Sequence, residues 1–171
     1  MEHETRAGLA TVPPVSRRDQ ITMTDAEVAA FLDEERTVIC ATIGQDGFPH
    51  LMPLWYVMRD ADVWSWTFAK SQKVRNVERD PRASLQVEAG DEYAELRGVL
   101  LKCDVTVHRQ TARVAELGTE LFERYGAVRR GELDERVRAM VLAQARKRVA
   151  LQFQARSVAT WDHRKLAPGV Y

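Results

Sequence analysis

Most of the features that announce a function are scarce in this sequence. It has 2 cysteines in 171 residues, Cys40 and Cys103. They lie far apart with no metal-type spacing, which excludes a zinc or iron–sulfur motif built on cysteine. Each sits in an apolar, strand-like run. Buried free thiols are the expected reading, with a disulfide or a reactive thiol as the alternatives. The 4 histidines, His3, His50, His108 and His163, show no metal-ligand spacing either, so no metal site is expected. There is no serine or cysteine nucleophile motif, no Walker-type loop and no G-x-G-x-x-G. No apolar run approaches the roughly 20 residues of a membrane span. The N-terminal "MEHETRAGLATVPPVSRR" has no apolar segment suited to secretion, and a cytoplasmic protein is expected. Net charge is absent too: 25 basic residues balance 25 acidic ones. That argues against a general binder of nucleic acid or membrane surface, so any anion site has to be local. Only 5 of the basic residues are lysine, an arginine bias that suggests GC-rich coding DNA.

What is present fits one domain with a proper core. Residues 1–21 are polar, carry Pro13 and Pro14 and show no periodicity. They read as a flexible arm, or as an arm laid across a partner subunit, ahead of a domain over 22–171. At Thr24 the pattern changes. "TDAE" is a capping box, with Thr24 as N-cap and Glu27 three residues on, and Val28, Phe31 and Leu32 follow at helical spacing. A helix from Asp25 to about Glu34 is predicted. The period then switches to strands: "RTVICATIG", a "QDG" turn, "FPHLMPLWYVM", a "RDAD" turn, and "VWSWTF". Pro49 and Pro53 make the second of these irregular or an edge, because proline cannot donate to a ladder. "RASLQVEA" is a fourth strand, and "YAELRGVLLKCDVTVH" a long one with Gly98 as the candidate bend. Two helices follow, one with a Val114, Leu117, Leu121 stripe and Gly126 as its stop, one with Leu133, Val137, Met140 and Val141. "RVALQFQARSVATWDH" alternates as a closing strand. Hairpin-length turns between most strands predict an antiparallel barrel with helices outside, mainly β with α.

The stretch "FAKSQKVRNVERDP" carries the most chemistry. With Ser71 as N-cap of a short helix, its hydroxyl is expected to cap a backbone N–H. The N–H groups of Gln72, Lys73 and Val74 then face outward at the positive end of the helix dipole. An anion there meets free N–H donors, a hydroxyl and the Lys73 ammonium together. Arg75 and Asn76 lie on the same or the next turn, Val74 and Val77 face the core, and Pro81 ends the helix. A solvated capping helix with surface cations is the plainer reading. The aromatic strand "VWSWTF" and the apolar "HLMPLWYV" could wall a flat ring beside the anion.

"DGFPHLMPLWYV", "SQKVRNVERDPRASLQV" and "SVATWDHRKL" resemble the split-barrel flavin-binding proteins related to pyridoxamine phosphate oxidase. They look most like the actinobacterial branch that uses the deazaflavin coenzyme F-420. The resemblance covers about Asp25 to Arg109 and resumes in the last strand. It implies a six-stranded antiparallel split β-barrel that pairs as a homodimer, with two cofactor sites at the interface. It implies that Lys73 holds the cofactor phosphate with Ser71. Arg75 and Asn76 then fall where cofactor or helix-locking contacts occur. Met52, Pro53 and Leu54 lie along the ring, and Trp66 and Thr67 near the ring or the polyol chain. Many relatives carry small or polar residues where this chain has Met52, Trp55 and Trp66, and bulky groups there would narrow the substrate side or partly fill the pocket. The helical pair between Arg109 and Arg146 would cover the open side of the site.

The implied activity is that of an F-420-dependent oxidoreductase, transferring a hydride between the deazaflavin and a small organic substrate. An FMN enzyme of the same fold is the alternative, as is a non-catalytic module for a cofactor, haem or lipid-like ligand. His50 and Tyr56 are the candidate proton donors, each also readable as a plain turn or core residue. His163 reads as structural or interfacial.

Overall fold

The computed structural model describes residues 16–126, 134–167 and 169. Most of the predicted arm, residues 1–15, lies outside them, and so does Leu133. The first described segment is a single helical turn, α1 (Arg17–Gln20), capped by Ser16. Helix α2 (Asp25–Glu34) starts on the expected capping box: Thr24 Oγ1 accepts from Glu27 N, and Glu27 Oε2 accepts from Thr24 N.

Seven strands form one antiparallel sheet: β1 (Val38–Ile43), β2 (Pro49–Leu54), β3 (Val57–Arg59), β4 (Asp62–Phe68), β5 (Arg82–Ala89), β6 (Arg97–His108) and β7 (Arg148–Asp162), in the order β2-β1-β5-β6-β7-β4-β3. The count is one more than the predicted six because the run "FPHLMPLWYVM" is two strands, not one. Its halves sit at opposite ends of the sheet order although only Trp55 and Tyr56 separate them. The sheet must therefore curl until its edges meet, which is the split barrel. Side chains satisfy the backbone at the break: Tyr56 N donates to Tyr125 Oη (3.0 Å), Tyr125 Oη donates to Tyr56 O (2.7 Å), and Ser65 Oγ donates to Trp55 O (2.7 Å). Pro49 and Pro53 are tolerated because β2 is an edge, paired only with β1.

Gly98 does a different job from the predicted bend. A Cβ there would lie 2.2 Å from the Trp161 indole, so the glycine seats that ring. The irregularity comes further along, where Lys102 faces Ser157 but Cys103 faces Ala155, leaving Arg156 as the extra residue of a bulge.

The core has two compartments. Inside the barrel, Phe31, Val38, Leu85, Val99, Leu151 and Phe153 pack with both cysteines. Outside it, α4 (Thr111–Tyr125) and α5 (Glu135–Ala145) cover β4 and β7 through Trp64, Val114, Leu117, Leu121, Ala145 and Ala150. On α5, Val141 is buried as expected but Met140 is exposed. Cys40 and Cys103 are free, and burial pushes both thiols up to about 12. A disulfide or a reactive thiolate is thereby set aside.

Candidate functional site

Helix α3 (Gln72–Arg79) begins after β4, with Ser71 at the N-cap. The predicted cap is not made: no hydrogen bond joins the Ser71 hydroxyl to a backbone N–H. Instead the hydroxyl accepts from Thr67 Oγ1 at 3.5 Å. Val74 N and Arg75 N both donate to the Ser71 carbonyl (3.2 and 3.3 Å), so the Val74 N–H, expected to face outward, is used within the turn. The Gln72 and Lys73 N–H groups find no acceptor among the described residues. They are left as donors at the helix start.

Lys73 is the exceptional residue. It is 7% exposed and forms no ion pair among the described residues. Its one hydrogen bond among the described residues is donated from Nζ to Thr67 Oγ1 at 3.2 Å. Burial pulls its pKa below the usual lysine range, with nearby Cys40 acting the other way. A desolvated cation with one neutral partner is costly and lacks the anion that would offset it. Around it, Arg75 is exposed to solvent, and Arg79 donates to the Ile43 carbonyl.

Asn76 is fully buried and spoken for at both ends. Its Nδ2 donates to Thr42 Oγ1 (3.0 Å), and its Oδ1 accepts from Gln72 Nε2 (2.9 Å). Of the two family roles, this geometry is that of locking α3 onto β1.

The aromatic wall lies elsewhere than expected. Alternation along β4 puts Thr67 with the barrel interior and Trp64 and Trp66 on the α4 side. Trp66 rests on Gly118 of α4, where a Cβ would come within 2.4 Å of its ring, and the Arg148 guanidinium lies over it at 4.6 Å. Trp66 and Lys73 therefore face opposite sides of β4. What the structure does bring together is Trp66, Pro53, Leu54, Trp55 and Thr37, around a cavity of about 350 Å³. Trp55 stacks on Tyr125 of α4 (4.7 Å between centroids, 5° between planes), so the first helix of the predicted pair packs beside this cavity. Met52 is exposed on β2.

A second cavity of about 600 Å³ lies under the β1–β2 hairpin, lined by residues Gly44, Gln45, Asp46, Phe48, Pro49, His50 and Gln72. A third, of about 720 Å³, spreads over the outer face of β1, β5 and β6 among the Asp80–Arg82 and Asp104–Arg156 pairs. Lys73 lines none of the three.

Of the two candidate proton donors, Tyr56 is withdrawn. It is wholly buried, its hydroxyl donates to the Leu32 and Glu35 carbonyls (2.7 and 3.1 Å), and burial raises its pKa. His50 stays at a cavity wall. His163 is tied to the Tyr93 carbonyl (2.9 Å), and His108 stacks on Trp64.

Sequence reasoning missed Arg124. It donates to the Leu32, Asp33 and Glu35 carbonyls and pairs with Asp33, closing the C-terminus of α2 from α4. No local signal marks it, because its partners are some ninety residues away.

A curled antiparallel barrel with this helix start defines a class, and the comparisons name it. The chain belongs to the pyridoxamine 5'-phosphate oxidase family, whose model matches residues 24–162. Among solved structures it is similar to Rv2991, a conserved hypothetical protein from Mycobacterium tuberculosis. The two are 39% identical, with a TM-score of 0.81, over 92% of this chain and 96% of that one. An F-420 reductase shares the fold at 18% identity and TM-score 0.59, over 75% of this chain and 93% of that one. A FAD-binding protein from Mesorhizobium loti does so at 16% and 0.57, over 81% and 94%. A search among curated proteins found no match. None of the described helices is long and apolar enough to cross a membrane.

Proposed function

We propose that the chain is an F-420-dependent oxidoreductase that works as a homodimer. The observation that carries this is Lys73: a buried ammonium without a counter-ion among the described residues, at a helix start whose two free N–H donors find no acceptor among them. A phosphate ester supplies what that arrangement lacks.

When bound, the reduced deazaflavin supplies a hydride to an electron-poor bond of a small organic substrate. The chain binds and orients. Lys73, Ser71 and the Gln72 and Lys73 amides hold the phosphate. Pro53 and Leu54 offer a dry wall for the ring, without Trp66, which lies on the other side of β4 from Lys73. Asn76 fixes the helix that carries the amides. With Tyr56 sealed, the accompanying proton comes from His50 or from solvent.

Lys73 lines none of the three cavities described above, and in this reading the ring site is completed by a second copy. The surface for it is apolar and lies on the edge strand: Leu51, Met52 and Trp55 are exposed, with Ile43 and Phe48 (75% exposed) at the hairpin.

Titration of purified protein with oxidised F-420, followed by its fluorescence, tests the reading. Saturable quenching is expected. A protein that ignores F-420 and purifies yellow with tightly held FMN would move the assignment to the FMN enzyme of the same fold. Light scattering that shows only monomer at working concentration would remove the shared site.

A further inference from the structure

The His50 ring leaves its buried Nδ1 without a partner among the described residues, whereas the His108 ring uses both of its nitrogens. His108 closes β6 and stacks on Trp64, with 5.0 Å between centroids and 18° between planes. Its Nε2 meets Gln152 Oε1 at 2.8 Å, and its Nδ1 meets Arg113 Nη1 of α4 at 3.3 Å. Both partners have a fixed polarity. An arginine N–H can only donate, so Nδ1 accepts. Gln152 Nε2 donates to the Asp62 carboxylate (2.7 Å), which turns Oε1 to the imidazole, so the His108 Nε2 carries the proton. Two separate contacts assign the same form, the neutral ring protonated on Nε2.

Cations crowd this ring. Arg113 and, from β3, Arg59 lie over the same Trp64 indole at 5.3 and 5.0 Å. Arg109 follows His108 in the chain. Arg59 is paired with Glu120 of α4 and Arg109 with Glu78 of α3. Arg113 has no carboxylate partner among the described residues, and its one hydrogen bond there is the one to His108. Asp62 of β4 faces the other side of the ring, through the Gln152 amide of β7. A proton added to the ring goes to Nδ1, the nitrogen without one. It sets donor against donor and charge against charge across the 3.3 Å contact with Arg113. Coulomb energy falls with distance, so this contact outweighs the attraction of Asp62 beyond the amide.

We infer that His108 and Arg113 form a pH-sensitive latch on the start of α4, closed while His108 is neutral and opened by its protonation. Histidine is the side chain whose charge changes between about pH 5 and 8. Closed, the pair ties the last residue of β6 to the first turn of α4, next to the fully buried Val114. Opened, Arg113 leaves the imidazole and the first turn loses its tether, while Leu117 and Leu121 keep the rest of the helix docked. The same helix seats Trp66 on Gly118 and stacks Tyr125 on Trp55, so the latch acts on the element beside the cavity of about 350 Å³. It holds whichever cofactor the chain takes.

The test uses the full chain and its His108→Gln and Arg113→Gln variants, with ¹⁵N-histidine spectra and amide hydrogen exchange at about pH 8 and about pH 5.5. At the higher pH the His108 ring, assigned by the loss of its signals in His108→Gln, should show the Nε2–H tautomer. At the lower pH the first α4 amides, among them the Val114 N–H bonded to Gln110 O, should lose protection about fivefold after correction for intrinsic exchange, the worth of one net hydrogen bond. The Leu121 amide should keep its protection. In His108→Gln, whose side chain stays neutral, the first turn should no longer respond to pH, and in Arg113→Gln, which lacks the opposing charge, it should respond less. An Nδ1–H tautomer overturns the inference. Unchanged protection between the two pH values does so too, as does a response that survives in His108→Gln. A loss spread evenly over α4 and α5 marks general acid unfolding and overturns it as well. If His108→Gln does not fold, the shift of the His108 signals in Arg113→Gln gives the assignment, and that variant supplies the comparison.

Discussion

The two places where a helix meets the barrel treat their polar groups in opposite ways. At the seam between α2 and α4, Arg124 satisfies three carbonyls at once, the Tyr56 hydroxyl reaches two, and Tyr125 closes the backbone of the β2–β3 break from both sides. Cations there lie over rings or beside carboxylates. At the start of α3 the same kinds of groups are left short. An ammonium has one hydroxyl partner, a serine at the N-cap does not cap, and two amides and an imidazole nitrogen are idle. Buried polar groups normally find partners within the fold. On the proposed reading, a region that leaves several unmet together is built for something that arrives later, and the seam, where Arg124 Nε alone is unmet among the described residues, shows that this chain can do otherwise.

That contrast predicts which substitutions cost stability and which cost binding. The largest effect belongs to the seam. Arg124→Ala should lower unfolding free energy by about 3 kcal/mol, since it strands several carbonyls and removes a charged donor. Urea melts check it, and a loss below about 1 kcal/mol would show that water replaces the arginine freely.

Next comes Lys73. Lys73→Met should weaken F-420 by about 1.5–3 kcal/mol, the scale of a hydrogen bond to a charged group, with no loss of stability. Its pH behaviour sharpens the point. The folded-state pKa lies below the ordinary 10.5, so over the interval between the two values the unfolded chain holds the proton more firmly. Stability of the wild type therefore rises with pH across that interval. Lys73→Met should be favoured over wild type most near neutral pH, and thermal melts of the two should converge toward about pH 10. Curves that stay parallel across that range would mean the ammonium is well solvated.

The smallest effects compare the two N-caps. Thr24→Ala removes a made capping box and should cost about 1 kcal/mol. Ser71→Ala removes a hydroxyl that caps no backbone N–H and should cost less than about 0.5 kcal/mol, while weakening F-420 by about 0.5–1.5 kcal/mol. Equal stability losses would show that Ser71 caps α3 after all.

Much of this was readable in advance where the signal is local. The Thr24 box, the prolines that put β2 at an edge, the α4 stripe of Val114, Leu117 and Leu121, and the α3 boundaries depend on neighbours within a turn or a ladder pair. The misreadings share one feature, a partner distant in sequence. Whether "FPHLMPLWYVM" is one strand or two depends on Tyr125. What Gly98 is for depends on Trp161. Which side of the barrel Trp66 faces in relation to Lys73 depends on where α4 docks, and Gly118 sets that.

The amino-acid order alone therefore determined most of the elements, the antiparallel class and the short basic helix that follows Ser71, because these follow from periodicity, capping and backbone chemistry over a few residues. Only the tertiary structure decided which of those polar groups would be satisfied. Burial takes water away from all of them, and packing against strands and helices far along the chain returns partners to some and not to others.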